Sequence, residues 1–194
     1  CIQDIIVTAP KDGNEFRRLL HTGMSVTDKP FAIRYPKSSS VQFSQETQIE
    51  LLPLGSWETL KEGNDIAILA VGSMVLTALE ASEILEEIGI SVHIINCRFI
   101  KPMDVSILKS ISAKFSNIIT IEEGTISGGF GDGVASWLLE NKFRGRLRRL
   151  GLPDSFVEHG TRNQILSELG LDPKGLSTTV KQMMPLEEKL NYES

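Results

Sequence analysis

Gly128-Gly129-Phe130-Gly131-Asp132-Gly133 is the densest run of residues suited to chemistry in this chain. A glycine-rich turn between a strand and a helix N-terminus can cradle phosphate. The spacing fits neither G-x-G-x-x-G nor a P-loop, because no Lys-Ser/Thr follows. The plainer alternative is structural: glycines let a chain turn sharply and let a helix approach a sheet. Gly131-Asp132-Gly133 with Asn163 also loosely follows the G-D-G…N signature that holds the magnesium of a diphosphate cofactor. That chemistry needs Asp and Asn oxygens on one ion. Asp132 stands where a helix N-cap is wanted and Asn163 falls inside a helix, so the match is read as accidental.

Glu122-Glu123 follows an apolar strand directly. Paired carboxylates can do general acid–base work. Neighbours on an extended chain point to opposite faces, however. A structural role is the alternative, with one carboxylate reaching a helix N-terminus or an arginine such as Arg98. His21, His93 and His159 stand apart from one another, and none has a second ligand at metal spacing. No G-x-S-x-G elbow supports a nucleophilic serine. Cys97 follows a strand with no activator nearby in sequence and reads as a buried, inert thiol. Arg34 is different. It interrupts an apolar strand between Ile33 and Tyr35, just before Pro36. An arginine placed there must find an anion, either a carboxylate or a ligand phosphate at the strand end.

The elements that must position these residues alternate. Ile5–Ala9 reads as a strand, Asp12 and Glu15 as a helix-opening capping pattern, and Phe31–Tyr35 as a second strand, which makes one β-α-β unit. Lys37-Ser38-Ser39-Ser40 and the polar stretch that follows read as a linker, extended to residue 60 by Pro53 and Gly55. Ile66–Val71 is a strand apolar on both faces, as a parallel sheet requires. A helix with Ala81, Ile84, Leu85 and Ile88 at its buried spacing follows, then a strand at Val92–Ile95. Asp104 is the expected N-cap of a helix holding Ile107, Leu108 and Ile111. Ile118–Ile121 is the next strand, and a helix with Val134, Trp137 and Leu138 leaves the glycine run. Leu147–Leu150 is an edge strand, judged by its arginines. Thr161 and Gln164 form a capping box, and a last helix carries Leu176, Val180 and Met183 until Pro185 stops it. The polar tail after Leu186 is expected to fray. The expected fold is α/β: an open, mostly parallel sheet with helices on both faces, preceded by a β-α-β unit.

The 194 residues, 41% hydrophobic and 23% charged, suffice for one large domain or one domain and part of another. This composition excludes a disordered chain. No apolar run approaches the roughly 20 residues of a membrane span. A net charge of −5 with scattered Lys and Arg leaves no footprint for nucleic acid. Cys1 and Cys97 cannot build a disulfide framework, so a cytoplasmic setting is the default. The chain opens with Cys1 and enters an apolar segment at once, which reads as the C-terminal part of a longer polypeptide.

Several segments together resemble the 1-deoxy-D-xylulose-5-phosphate synthases, transketolase-like enzymes that use thiamine diphosphate. They are Thr8-Ala9-Pro10-Lys11-Asp12-x-Asn14-Glu15, Ala32-Ile33-Arg34-Tyr35-Pro36, Leu69-Ala70-Val71-Gly72 and Arg98-Phe99-Ile100-Lys101-Pro102-Met103-Asp104. Glu122-Glu123-Gly124, Gly128-Gly129-Phe130-Gly131, Gly151-Leu152-Pro153-Asp154-Ser155-Phe156 and His159-Gly160 continue the resemblance over nearly the whole chain.

The resemblance implies an enzyme that condenses pyruvate with D-glyceraldehyde 3-phosphate, loses carbon dioxide, and feeds isoprenoid, thiamine and pyridoxal synthesis. It implies thiamine diphosphate and Mg2+ in a full-length homodimer, cytoplasmic or, in a plant or alga, plastidial. It divides the chain into the end of a pyrimidine-binding domain (1–36), a linker (37–60) and a transketolase-like C-terminal domain (61–194). The diphosphate-binding domain and the activating glutamate would precede Cys1. The piece alone is therefore expected to be inactive, to bind no cofactor or metal and to carry no catalytic residue. Arg34 alone matches a position the family uses, to hold the substrate phosphate. The edge of the truncated first unit is expected to pair with another chain or to lack order. Two rival readings remain. One is a non-catalytic assembly or regulatory module like the C-terminal domain of a 2-oxoacid dehydrogenase β subunit. The other is a plain nucleotide-binding domain, disfavoured by the glycine spacing.

Overall fold

Ile66-Ala67-Ile68-Leu69-Ala70 has no polar side chain, and such a strand is stable only with both faces covered. In the computed structural model, which describes residues 2–37 and 49–184, all five residues are buried and form β4, Ile66–Ala70, the centre of a five-stranded sheet. Its order is β3-β5-β4-β7-β8, with β3 Glu58–Lys61, β5 Val92–Asn96, β7 Asn117–Thr125 and β8 Arg146–Leu152. β5, β4, β7 and β8 run parallel, and β3 lies antiparallel on β5 at one edge. Arg146, Arg148 and Arg149 place β8 at the other edge, as their charge requires.

Helices cover both faces. α2 (Met74–Glu86) and α6 (Pro173–Met183) pack with Ile66, Ile68 and Ile119 on one side. α3 (Val105–Lys114) and α4 (Phe130–Glu140) pack with Ala67, Leu69 and Ile118 on the other. Asp104 caps α3 by accepting from the Ile107 N–H at 3.0 Å. Thr161 and Gln164 close a reciprocal capping box on α5, Arg162–Glu168. Ile88, expected to face inward, is 43% exposed because α2 ends before it.

The first unit is β1 (Ile6–Thr8), α1 (Gly13–Ser25) and β2 (Phe31–Ile33), with the strands parallel. Three corrections concern it. The strand bearing Arg34 ends at Ile33, so Arg34 is exposed just beyond the strand rather than within a core. The β1 side of this unit, whose edge was expected to pair with another chain or to lack order, is covered from within: β6, Phe99–Lys101, lies antiparallel against it. Residues 58–60, read as linker, belong to β3, and Leu52 and Trp57 before them are buried. Trp57 donates its Nε1–H to the Phe99 carbonyl at 2.7 Å, which ties this stretch to β6. Ile6, Ala9 and Leu19 share one apolar cluster with Trp57, Leu69 and Phe99. Cys1, the Ser- and Gln-rich stretch 38–48, Pro185 and the tail fall outside the described residues.

Candidate functional site

Parallel sheets gather ligands at their carboxyl ends. Here the carboxyl ends of β1, β2, β4 and β7 bring together Ala9-Pro10, Arg34, Gly72-Ser73 and Glu122-Glu123. The Cβ position of Gly72 lies 3.4 Å from Ala9 Cβ, so the turn after β4 sits against the end of β1. Gly72 has a φ of +59°, a conformation that suits glycine.

The glutamate pair is aimed by a bulge. Ile121 pairs with Leu150 and Thr125 with Leu152, so more residues pass on β7 than on β8. A bulge of this kind re-aims side chains at the end of a strand. Gly151 makes the close approach possible, since a Cβ there would stand 2.8 Å from the Gly124 carbonyl oxygen. The two carboxylates part to opposite sides, as extended backbone predicts. Glu122 is buried, and its Oε1 accepts from the Gly131 N–H at 2.9 Å, at the positive end of α4. Glu123 meets Arg162 rather than Arg98. Arg162 Nε and Nη2 donate to Glu123 Oε1 and Oε2 at 2.7 and 2.5 Å, and Ser73 Oγ donates to Oε2 at 2.9 Å. Burial opposes ionisation of Glu123, but these donors outweigh it and hold the carboxyl below its ordinary range.

Arg34 stands beside this pair. Its Nη2 lies 3.1 Å from the Cβ position of Gly124, and its positive charge helps to keep Glu123 ionised. Its backbone N–H is held by the Thr8 carbonyl at 2.8 Å. Among the described residues its side chain makes no hydrogen bond or ion pair. That leaves the guanidinium available to an outside anion.

The glycine run serves helix entry. Gly129 is the N-cap of α4, and Asp132, expected there, lies in the first turn instead. Asp132 Oδ2 accepts from the Gly128 N–H at 2.5 Å, and its other oxygen pairs with Arg149. Asn163 sits on α5, one residue after Arg162. Asp132 is thus committed to protein partners, and no group of three or more metal-ligating side chains forms among the described residues. Cys97 is fully buried and its thiol is pushed well up by burial, as an inert core group is.

Sequence reasoning missed a second polar cluster. Lys11 Nζ donates to Glu58 at 2.8 Å, and Asn96 Nδ2 donates to the buried Glu15 at 2.7 Å. Arg98 Nη1 lies 3.7 Å from both Glu15 and Glu58. The members come from three distant segments, so no local pattern announces them; the one local signal is the polarity of Asn96 at the end of an apolar strand. A cleft of about 740 Å3 opens beside the strand ends, lined by Pro10, Tyr35, Pro36, Ser73, Leu76 and Arg162 among others. Arg34 is not part of its lining, although Tyr35 and Pro36 are.

Residues 55–176 match the transketolase C-terminal domain. The chain belongs to this family. The transketolase-type chain is also 40% identical over 189 residues to a 1-deoxy-D-xylulose-5-phosphate synthase of Bacillus cereus, and 39% identical to one of Bacillus mycoides. Each alignment covers 97% of this chain and 30% of the relative, so the chain spans about a third of those proteins. Among solved structures, a split-gene transketolase described as an inactive β4 tetramer superposes with a TM-score of 0.78 at 26% identity. That match covers 94% of this chain and 58% of the other. A transketolase mutant from Pichia stipitis, at 19% identity and a TM-score of 0.70 over 96% of this chain and 26% of its own, shares the fold. No helix among the described residues is long and apolar enough to cross a membrane.

Proposed function

We propose that this chain is the C-terminal part of a 1-deoxy-D-xylulose-5-phosphate synthase, which joins pyruvate to D-glyceraldehyde 3-phosphate with loss of carbon dioxide. The observation that carries the reading is 40% identity sustained over 97% of the chain. In this reading residues 1–36 end a pyrimidine-binding domain, and a linker leads from them into the transketolase-like C-terminal domain of a cytoplasmic homodimer. Thiamine diphosphate supplies the carbanion chemistry in the whole enzyme. The residues described here do not fit its magnesium, because Asp132 is bound to Gly128 and Arg149. The chain by itself is inactive.

The role of this chain's own site is to bind and orient. Arg34 presents a planar fork of donors at the carboxyl end of β2, which suits two phosphate oxygens at once. Glu123 cannot claim that fork, because Arg162 already occupies it. Held by its phosphate, the aldehyde substrate is oriented without any proton transfer by this chain.

The test uses the full-length enzyme. Arg34→Ala should lower kcat/KM for D-glyceraldehyde 3-phosphate by about thirty- to a thousandfold, the loss of roughly 2–4 kcal/mol of charge-assisted contact. Unphosphorylated D-glyceraldehyde should be used nearly as well as by the parent. Equal losses for both aldehydes would show that Arg34 does not hold the phosphate.

A further inference from the structure

Glu122 has one oxygen that nothing yet explains. The side chain is 2% exposed, and Oε1 is satisfied by the Gly131 N–H. Oε2 is buried and has no hydrogen-bond partner among the described residues. A buried carboxylate oxygen without a donor is costly, so a fold that keeps one needs a reason.

The reason lies across Gly124. A Cβ at that position would stand 2.7 Å from Glu122 Oε2 and 3.1 Å from Arg34 Nη2. The carboxylate and the guanidinium thus both stand close to one bare glycine, which has no side chain of its own to part them. Glu123 does not compete for the role, being committed to Arg162 and Ser73 on the other side. Glu122 itself is held in place by Oε1, which accepts from the Gly131 N–H in the first turn of α4.

We infer that Glu122 is the positioning residue of Arg34: its unpartnered Oε2 receives one edge of the guanidinium and turns the other edge toward a substrate phosphate. Guanidinium has five donors in a fixed plane, so one edge can be anchored while another binds. An exposed arginine loses side-chain freedom when it binds, and an anchor lowers that cost in advance. Gly124 belongs to the device, since any side chain there would part the two groups. The inference rests on the phosphate role of Arg34.

The experiment is a double-mutant cycle in the full-length enzyme, read as the ratio of kcat/KM for D-glyceraldehyde 3-phosphate to that for D-glyceraldehyde. Glu122→Gln keeps an oxygen to accept from Gly131 and sets an NH2 donor against the donors of Arg34. It should lower the ratio about tenfold, chiefly through KM for the phosphorylated aldehyde. In an Arg34→Ala background the same change should leave the ratio unaltered, because the group it positions is gone. Gly124→Ala is the second variant, for the case that Glu122→Gln does not fold, and should reproduce the selective loss. If Arg34→Ala is selective while Glu122→Gln and Gly124→Ala leave the ratio intact, or if their losses persist without Arg34, the positioning role is overturned and the phosphate role of Arg34 stands. If Arg34→Ala itself is not selective, both fall.

Discussion

Replacing Arg162 with alanine should weaken the protein by about 1 kcal/mol at neutral pH, and the loss should disappear in acid. Arg162 gives Glu123 two charge-assisted bonds, at 2.7 and 2.5 Å, while Ser73 gives a third at 2.9 Å. Two such bonds in a dry interior would be worth roughly 3–6 kcal/mol. The Arg162 side chain is 37% exposed and that of Glu123 27%, so water replaces much of what is lost. Screening of this degree leaves about 1–2 kcal/mol. Arg162 is also the first residue of α5, where a cation opposes the helix dipole, and its removal returns a few tenths. The net is about 1 kcal/mol. The pH dependence has a definite sign. Burial opposes ionisation of Glu123, but the Arg162 and Ser73 hydrogen bonds hold its folded pKa below the ordinary 4.5. Its contribution is therefore complete above about 4.5 and is lost as pH falls toward the lowered folded value. In the variant much of that depression is relieved, so the stability difference should be largest near pH 7 and shrink as pH falls below 4.5. Urea unfolding of parent and variant at a series of pH values measures both. A difference that persists unchanged as pH falls well below 4.5 would refute the assignment of the loss to the Glu123 pair.

Two further outcomes follow from the same geometry. A Cβ on Gly63 would lie 2.2 Å from the Val92 carbonyl carbon and 2.5 Å from the His93 nitrogen, both backbone atoms that cannot swing away. Gly63→Ala should cost at least about 2 kcal/mol in denaturant unfolding, and a neutral result would contradict the packing of that turn on β5. The buried imidazole of His93 has its pKa lowered below 6.5, first by burial and then by Lys114, against the pull of Glu62. A lowered histidine stabilises fully above its unfolded value, so stability should begin to fall as pH drops through about 6.5, and His93→Gln should remove that first decline from the thermal melting curve.

Much of the frame was legible locally, because it is written in short-range pattern. Apolar runs such as Ile66–Ala70 and Ile118–Ile121 must be covered on both faces, and the glycines and capping residues between them announce helices at crossover spacing. Asp104 and the Thr161–Gln164 box cap where they were expected. The arginines of β8 marked an edge before any sheet was seen. Tertiary structure decided what depends on distant partners. β6 is three residues long and has no pattern of its own; it exists because β1 offers it an open edge. Glu58–Lys61 became a strand rather than linker because β5 lay beside it. Glu123 chose Arg162, 39 residues away, over the Arg98 that sequence brought to mind. Arg34 stands out in sequence as a charge in an apolar segment, yet its lack of a side-chain partner among the described residues and its place beside Gly124 and Glu122 are facts of three dimensions. A hydrophobic pattern specifies which face is buried, whereas the partner of a charge depends on which strand ends the fold brings within reach.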